Sequence, residues 1–181
     1  MKRQTLIIAF MTSLLFGLTA CGPKAGEAEV PVAATEAKPL INDLLLEEVP
    51  ETVPGLLEAM EASDPGEEFV FTARVGGMKT PISDGYAGFV VADEILVFCD
   101  EMGDNGHCPT PWDACCEDSD KLIESRAFVQ FVDDSGNLLE MDLKATAGIK
   151  ENDTVVVKGR LSPDSAPRST IIIASGLAVV D

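Results

Sequence analysis

Four of the five cysteines lie close together between residues 99 and 116, in the stretch CDEMGDNGHCPTPWDACC. The same stretch holds the only histidine and the only tryptophan of the chain. Thiols at this density can form disulfides, bind a soft metal ion or exchange electrons. The residues that could take part are Cys99, His107, Cys108, Cys115 and Cys116.

Disulfides are the favoured interpretation, because an even number of cysteines in an exported domain typically forms bridges. A bridge between the adjacent Cys115 and Cys116 would be a strained ring. Two pairings remain open, and each bridge would stabilise this polar loop by about 2–3 kcal/mol. They are Cys99–Cys115 with Cys108–Cys116, and Cys99–Cys116 with Cys108–Cys115. We expect Trp112 to pack against the bridges.

A metal site is the alternative interpretation of the same residues. Four thiolates, or three with His107, could surround zinc tetrahedrally, and thiolates also suit copper(I). The spacing is unlike that of zinc knuckles, because no C-x-x-C occurs. We therefore predict no cofactor, with zinc or copper as the alternative. A labile dithiol at Cys115 and Cys116 is a third, redox hypothesis.

The amino-terminal residues 1–20 have the layout of an export signal. Two basic residues precede an apolar run from Leu6 to Leu18, which ends in small residues. This run is too short to span a bilayer comfortably as a permanent helix.

The end of this signal, Leu18-Thr19-Ala20-Cys21, resembles the lipobox of bacterial lipoproteins. The resemblance implies cleavage before Cys21 and lipidation of its sulfur with palmitate-type acyl chains, which would anchor the protein to a membrane. Family members retained on the inner membrane commonly have an aspartate where this chain has Gly22. The resemblance therefore places the protein in the cell envelope, at the outer membrane.

The chain is strongly acidic, with 13 basic and 31 acidic residues and a net charge of −18. Removing residues 1–20 would leave 11 basic residues and a charge of −20, because Lys2 and Arg3 are the only charged residues there. Such a surface repels phosphate backbones. We therefore predict that the protein binds no nucleic acid.

The composition changes several times along the mature chain. Residues 21–39 are rich in Ala, Glu, Pro and Gly, which predicts a disordered tether. Residues 40–64 have an apolar stripe at helical spacing that Pro50 and Pro54 interrupt, which predicts two short amphipathic helices near 40–48 and 54–62. We expect this stripe to dock on the domain that follows, although it could also bind a partner.

Residues 65–181 have the pattern of a small all-β domain. Phe69, Phe71, Ala73 and Val75 alternate with more polar residues. Further strand patterns fall within residues 86–98, 126–143, 153–161 and 169–180. Five or six short strands separated by turns predict a closed barrel or a sandwich.

The second half of this region is similar to that of OB-fold barrels, in which a glycine-marked hydrophobic phrase leads into the fourth strand. The matching residues are Gly148, Ile149, Asp153, Val155, Val157 and Gly159. The resemblance implies a mainly β fold, a small closed OB-like barrel with short N-terminal helices. Residues 99–125, which we call the cysteine loop, would be an insertion that the resemblance does not explain.

Catalytic motifs are mostly absent from the sequence. It has no G-x-S-x-G, no H-E-x-x-H and no phosphate-binding G-x-x-x-x-G-K-[ST]. We therefore predict a lipid-anchored binding or structural module without enzymatic activity, and the metal-binding lipoprotein is the alternative. The pattern leaves open whether a protein partner or a small ligand binds.

Overall fold

A computed structural model describes residues 41–105 and 108–180. Five strands of this part of the chain form a closed barrel in the order β1-β2-β3-β5-β4. Strand β3 runs parallel to β5, and the other neighbours are antiparallel. The strands are β1 Phe69–Val75, β2 Gly88–Ala92, β3 Arg126–Gln130, β4 Thr154–Leu161 and β5 Ile171–Val180. The fold class predicted from the sequence, a mainly β, OB-like closed barrel, is confirmed.

The helical elements are short. They are α1 Leu56–Ala62, α2 Ser119–Glu124 and α3 Leu143–Thr146, with 3-10 helices at Ile41–Asp43 and Cys99–Asn105. No helix in the described part of the chain is long and apolar enough to cross a membrane. The export signal at 1–20, the tether at 21–39 with Cys21, and His107 lie outside the described residues.

Alternation along the strands fills the barrel with apolar side chains. In β1, Phe69, Phe71, Ala73 and Val75 are buried, and the residues between them are partly exposed. Burying one large apolar side chain contributes about 1.5–3 kcal/mol. The period-two pattern of the sequence therefore specifies which face of each strand points inward.

The segment that precedes α1 differs from its prediction. Instead of a helix over 40–48, the chain forms one 3-10 turn at Ile41–Asp43. It then pairs with β5, where the Leu46 amide donates to the Leu177 carbonyl at 2.9 Å and the Leu177 amide donates to the Leu44 carbonyl at 2.8 Å. Hydrogen bonding to a strand edge replaces the helical bonds here, and the second predicted helix forms as α1.

Strand β2 ends earlier than the apolar run 86–98 suggests, because Asp93 turns the chain. Its carboxylate accepts hydrogen bonds from the Ile95 amide and from the Leu57 amide in α1, both at 3.0 Å. The side chain thereby caps a helix from a distant part of the sequence. It also fixes the start of the segment that leads to Cys99.

Replacing Asp93 with alanine is expected to lower the free energy of unfolding by about 2 kcal/mol, because two amides lose a charged acceptor. Chemical denaturation measures this loss. The exposed neighbour Glu94, replaced with alanine, is the control, and it should change stability by less than about 0.5 kcal/mol. Equal losses from the two variants would show that the Asp93 carboxylate does not cap α1.

Candidate metal centre in the cysteine loop

The structure brings three of the four cysteines of the cysteine loop to one point. The Sγ atoms of Cys99, Cys108 and Cys115 all lie within 4.8 Å of one another. Cys115 is in the middle, 3.1 Å from the sulfur of Cys108 and 3.7 Å from that of Cys99. Sulfurs that share a tetrahedral zinc ion at 2.3 Å are about 3.8 Å apart. We call these three residues the thiol trio.

Main-chain hydrogen bonds close the cysteine loop and bring distant cysteines together. The Cys99 amide donates to the Asp113 carbonyl at 2.7 Å, and the Asp100 amide donates to the Pro111 carbonyl at 3.1 Å. Because Asp113 is two residues before Cys115, this pairing places Cys115 beside Cys99. The 3-10 helix Cys99–Asn105 starts the return of the chain toward Cys108.

A small hydrophobic cluster packs against the cysteine loop. Ala92, Leu96, Phe98 and Ala114 are fully or almost fully buried, and Leu122 of α2 packs against them. The guanidinium of Arg74 lies 4.2 Å from the centre of the Phe98 ring. The loop thus packs, through Ala114 and Leu122, on apolar residues that precede it in the chain.

Arg74 in β1 also ties the first turn of the loop to the barrel. It forms ion pairs with Asp100 and Glu101, and Asn152 donates to the same Asp100 carboxylate. Arg74, Glu101 and Asn152 line a polar pocket of about 410 Å³ together with Phe98. The ion pairs and the ring contact fix the backbone that carries Cys99.

The other side of the loop is attached through Trp112 to the chain that follows β1. The Gly77 amide donates to the Trp112 carbonyl at 2.8 Å, and the indole N–H donates to the Lys79 carbonyl at 3.1 Å. A Cβ atom at Gly76 would lie 2.3 Å from the Trp112 carbonyl oxygen. The close approach of these two backbones therefore requires glycine.

The thiols differ in acidity because of their contacts with one another. Hydrogen bonding with Cys108, and then with Cys99, lowers the pKa of the Cys115 thiol. The same contact with Cys115 raises the pKa of Cys108 to about 12, and burial raises the pKa of Cys99. Cys115 is therefore the thiol that ionises first, with a proton donor on each side.

Cys116 is next to the trio but not part of it. It is exposed, and hydrogen bonding with Cys115 raises the pKa of its thiol. All four described cysteines are free thiols, so the two predicted disulfide pairings stay predictions.

The trio includes three of the five residues that the sequence proposed as metal ligands. Sequence reasoning missed the supporting residues Arg74, Gly76 and Phe98, although the doublet Gly76-Gly77 directly after an alternating strand was a visible signal.

Scans of the sequence match no protein-family model and no curated protein. Among solved structures, the chain is similar to the Pot1pC domain of Schizosaccharomyces pombe, which was crystallised with single-stranded DNA. The two chains are 18% identical, the match covers 72% of this chain and 88% of that one, and the TM-score is 0.38.

Proposed function

We propose that this protein is a lipid-anchored, non-catalytic module of the cell envelope that binds a soft metal ion, zinc or copper(I). Cys99, Cys108 and Cys115 are the proposed ligands. The observation that carries the proposal is the convergence of their three sulfur atoms within 4.8 Å. Thiolates bind both ions strongly, and three of them leave a fourth position open on a tetrahedral ion.

The arrangement of the trio favours a metal over two disulfides. A disulfide joins sulfurs at about 2.05 Å and uses each sulfur once. Cys115 contacts both Cys99 and Cys108, so one bridge would leave the third thiol without a partner in the trio. A single ion, by contrast, can bond all three sulfurs at once.

A disulfide-stapled loop is the second candidate. It is favoured by the contact between Cys108 and Cys115, whose sulfurs are the closest pair at 3.1 Å, and by the export signal. In that case Cys99 and Cys116 would form the other bridge, as in one of the predicted pairings. The loop would then act as a rigid surface feature.

The proposed anchor is the lipid on Cys21, followed by the tether 21–39. Acyl chains on one cysteine hold a protein firmly only when there are two or more of them. The tether would keep the acidic barrel away from an anionic membrane. Replacing Cys21 with alanine should release the protein from membranes, and incorporation of labelled palmitate would be lost with it.

We expect the protein not to bind single-stranded DNA, because its net charge of −18 opposes contact with phosphates. Fluorescence anisotropy with a labelled ten-nucleotide strand at about 50 mM salt measures this, since low salt favours any electrostatic binding. The anisotropy should stay at the value of the free strand up to high protein concentration. Saturable binding that weakens with salt would contradict the prediction.

A metal titration tests the proposed function. The full chain carrying Cys21→Ser leaves only the four thiols of the loop, and it is reduced and handled without oxygen. One equivalent of zinc or copper(I) should protect three thiols from a disulfide reagent and leave the fourth, Cys116, reactive. Four thiols that remain equally reactive at several equivalents of either ion would refute metal binding.

A further inference from the structure

We propose that the metal site selects copper(I) over zinc, and that the thioether of Met102 forms one wall of it. This inference rests on the proposed metal-binding function and specifies the ion. Thioethers bind copper(I) well and are poor ligands for zinc. A methionine beside three thiolates therefore discriminates between the two ions.

Two separate features place Met102 near the cysteines of the loop. Met102 is three residues after Cys99, in the part of the 3-10 segment Cys99–Asn105 that precedes a kink at Gly103. Side chains three residues apart lie on the same face of a 3-10 helix, because each turn has three residues. Met102 is thus on the face of the turn that carries the Cys99 thiol.

The second feature is a pocket of about 230 Å³ beside Cys116. Met102 and Cys116 line it together with Val97 and Glu117. Cys116 directly follows Cys115 of the trio and its thiol is hydrogen-bonded to that of Cys115, so the pocket lies one side chain away from the trio. Val97 is 44% exposed and gives the pocket an apolar wall, which suits a soft ion.

The carboxylates around the site are already engaged by other groups. Asp113, which lies near the Cys115 thiol, accepts from the Ala114 amide at 2.8 Å. Glu117 accepts from the Lys121 ammonium at 2.7 Å and from the Val97 amide at 2.8 Å. Asp100 and Glu101 are paired with Arg74. Zinc readily accepts oxygen ligands, and each of these would have to leave an existing partner to reach the ion. Sulfur is therefore the ligand type that the pocket offers most readily.

The test replaces Met102 with leucine, which has a similar shape but no sulfur. Copper(I) affinity is measured in competition with a coloured copper(I) chelator, and zinc affinity with a zinc indicator, on the full chain carrying Cys21→Ser. Met102→Leu should lower copper(I) affinity about tenfold, in the range of losses seen for groups that support a metal site, and leave zinc affinity unchanged. Met60→Leu in α1 is the matched control and should change neither affinity.

A spectroscopic measurement keeps the test independent of stability. With selenomethionine in the protein, copper X-ray absorption should show a selenium neighbour that is absent from Met102→Leu. Equal copper(I) affinities for the variant and the parent protein, or equal losses for both ions, would overturn the role of Met102 while leaving metal binding intact. A parent protein that binds neither ion would overturn the proposed function itself.

Discussion

Replacing Cys115 with serine is expected to lower metal affinity by more than about 100-fold. Cys115 is the sulfur that contacts both other members of the trio, at 3.1 Å and 3.7 Å. Its removal takes away the central sulfur of the trio, which is also the thiol whose pKa is lowered. Loss of a group that only supports a ligand already costs 10- to 100-fold, so loss of a central ligand should cost more. Competition with a metal indicator measures the change.

Cys116→Ser is the matched control, because it makes the same chemical change at the next residue. Cys116 lies outside the thiol trio, and we expect its replacement to weaken binding less than about tenfold. Similar losses from the two variants would show that the ligand set differs from the trio. A Cys115→Ser protein that binds metal like the parent would contradict the proposed site.

Replacing Gly76 with alanine is expected to have the largest effect on stability, a loss of about 2–3 kcal/mol. The new Cβ would lie 2.3 Å from the Trp112 carbonyl oxygen. A backbone atom cannot move aside as a flexible side chain can, so the loop must shift and the bond from the Gly77 amide to Trp112 must break. Denaturation measures the loss, and the fluorescence of Trp112, the only tryptophan, reports the shift.

Gly85→Ala is the control for this variant. Gly85 has a φ of 73° with nothing within 4 Å of a new Cβ, so alanine costs about 1–2 kcal/mol of backbone strain without touching the loop. We expect Gly85→Ala to leave metal affinity unchanged and Gly76→Ala to reduce it. If Trp112 fluorescence and metal affinity are unaltered in Gly76→Ala, the glycine does not position the cysteine loop.

The barrel was predictable because its strands follow simple rules. Alternation in β1 and the glycine-marked phrase that leads into β4 indicated a small closed barrel, and the structure has one. The helix predicted over 40–48 was wrong beyond its first turn, since the apolar stripe fits a strand edge as well as a helix face. The hydrogen bonds that Leu44 and Leu46 form with Leu177 in β5 favour the strand edge over the helix. The local sequence pattern does not show that this edge of β5 is available for pairing.

The candidate site was predictable in its residue types but not in its geometry. Cysteine count and the export signal favoured two bridges, whereas the folded loop gathers Cys99, Cys108 and Cys115 around one point. Eight residues separate Cys99 from Cys108 and six separate Cys108 from Cys115, and these spacings differ from those of zinc knuckles. Only the folded backbone, with its bond from the Cys99 amide to the Asp113 carbonyl, makes such a spacing suitable for a shared ion.

The most direct test of the central claim is the state of the four thiols in protein made with its own export signal. The protein is isolated from membranes in detergent without reductant, and its intact mass and metal content are measured under native and denaturing conditions. We predict one bound metal ion per chain and, after its removal, a mass with no hydrogens lost from the loop cysteines. A mass that is four hydrogens lower, with no bound metal, would establish two disulfides and contradict the metal site.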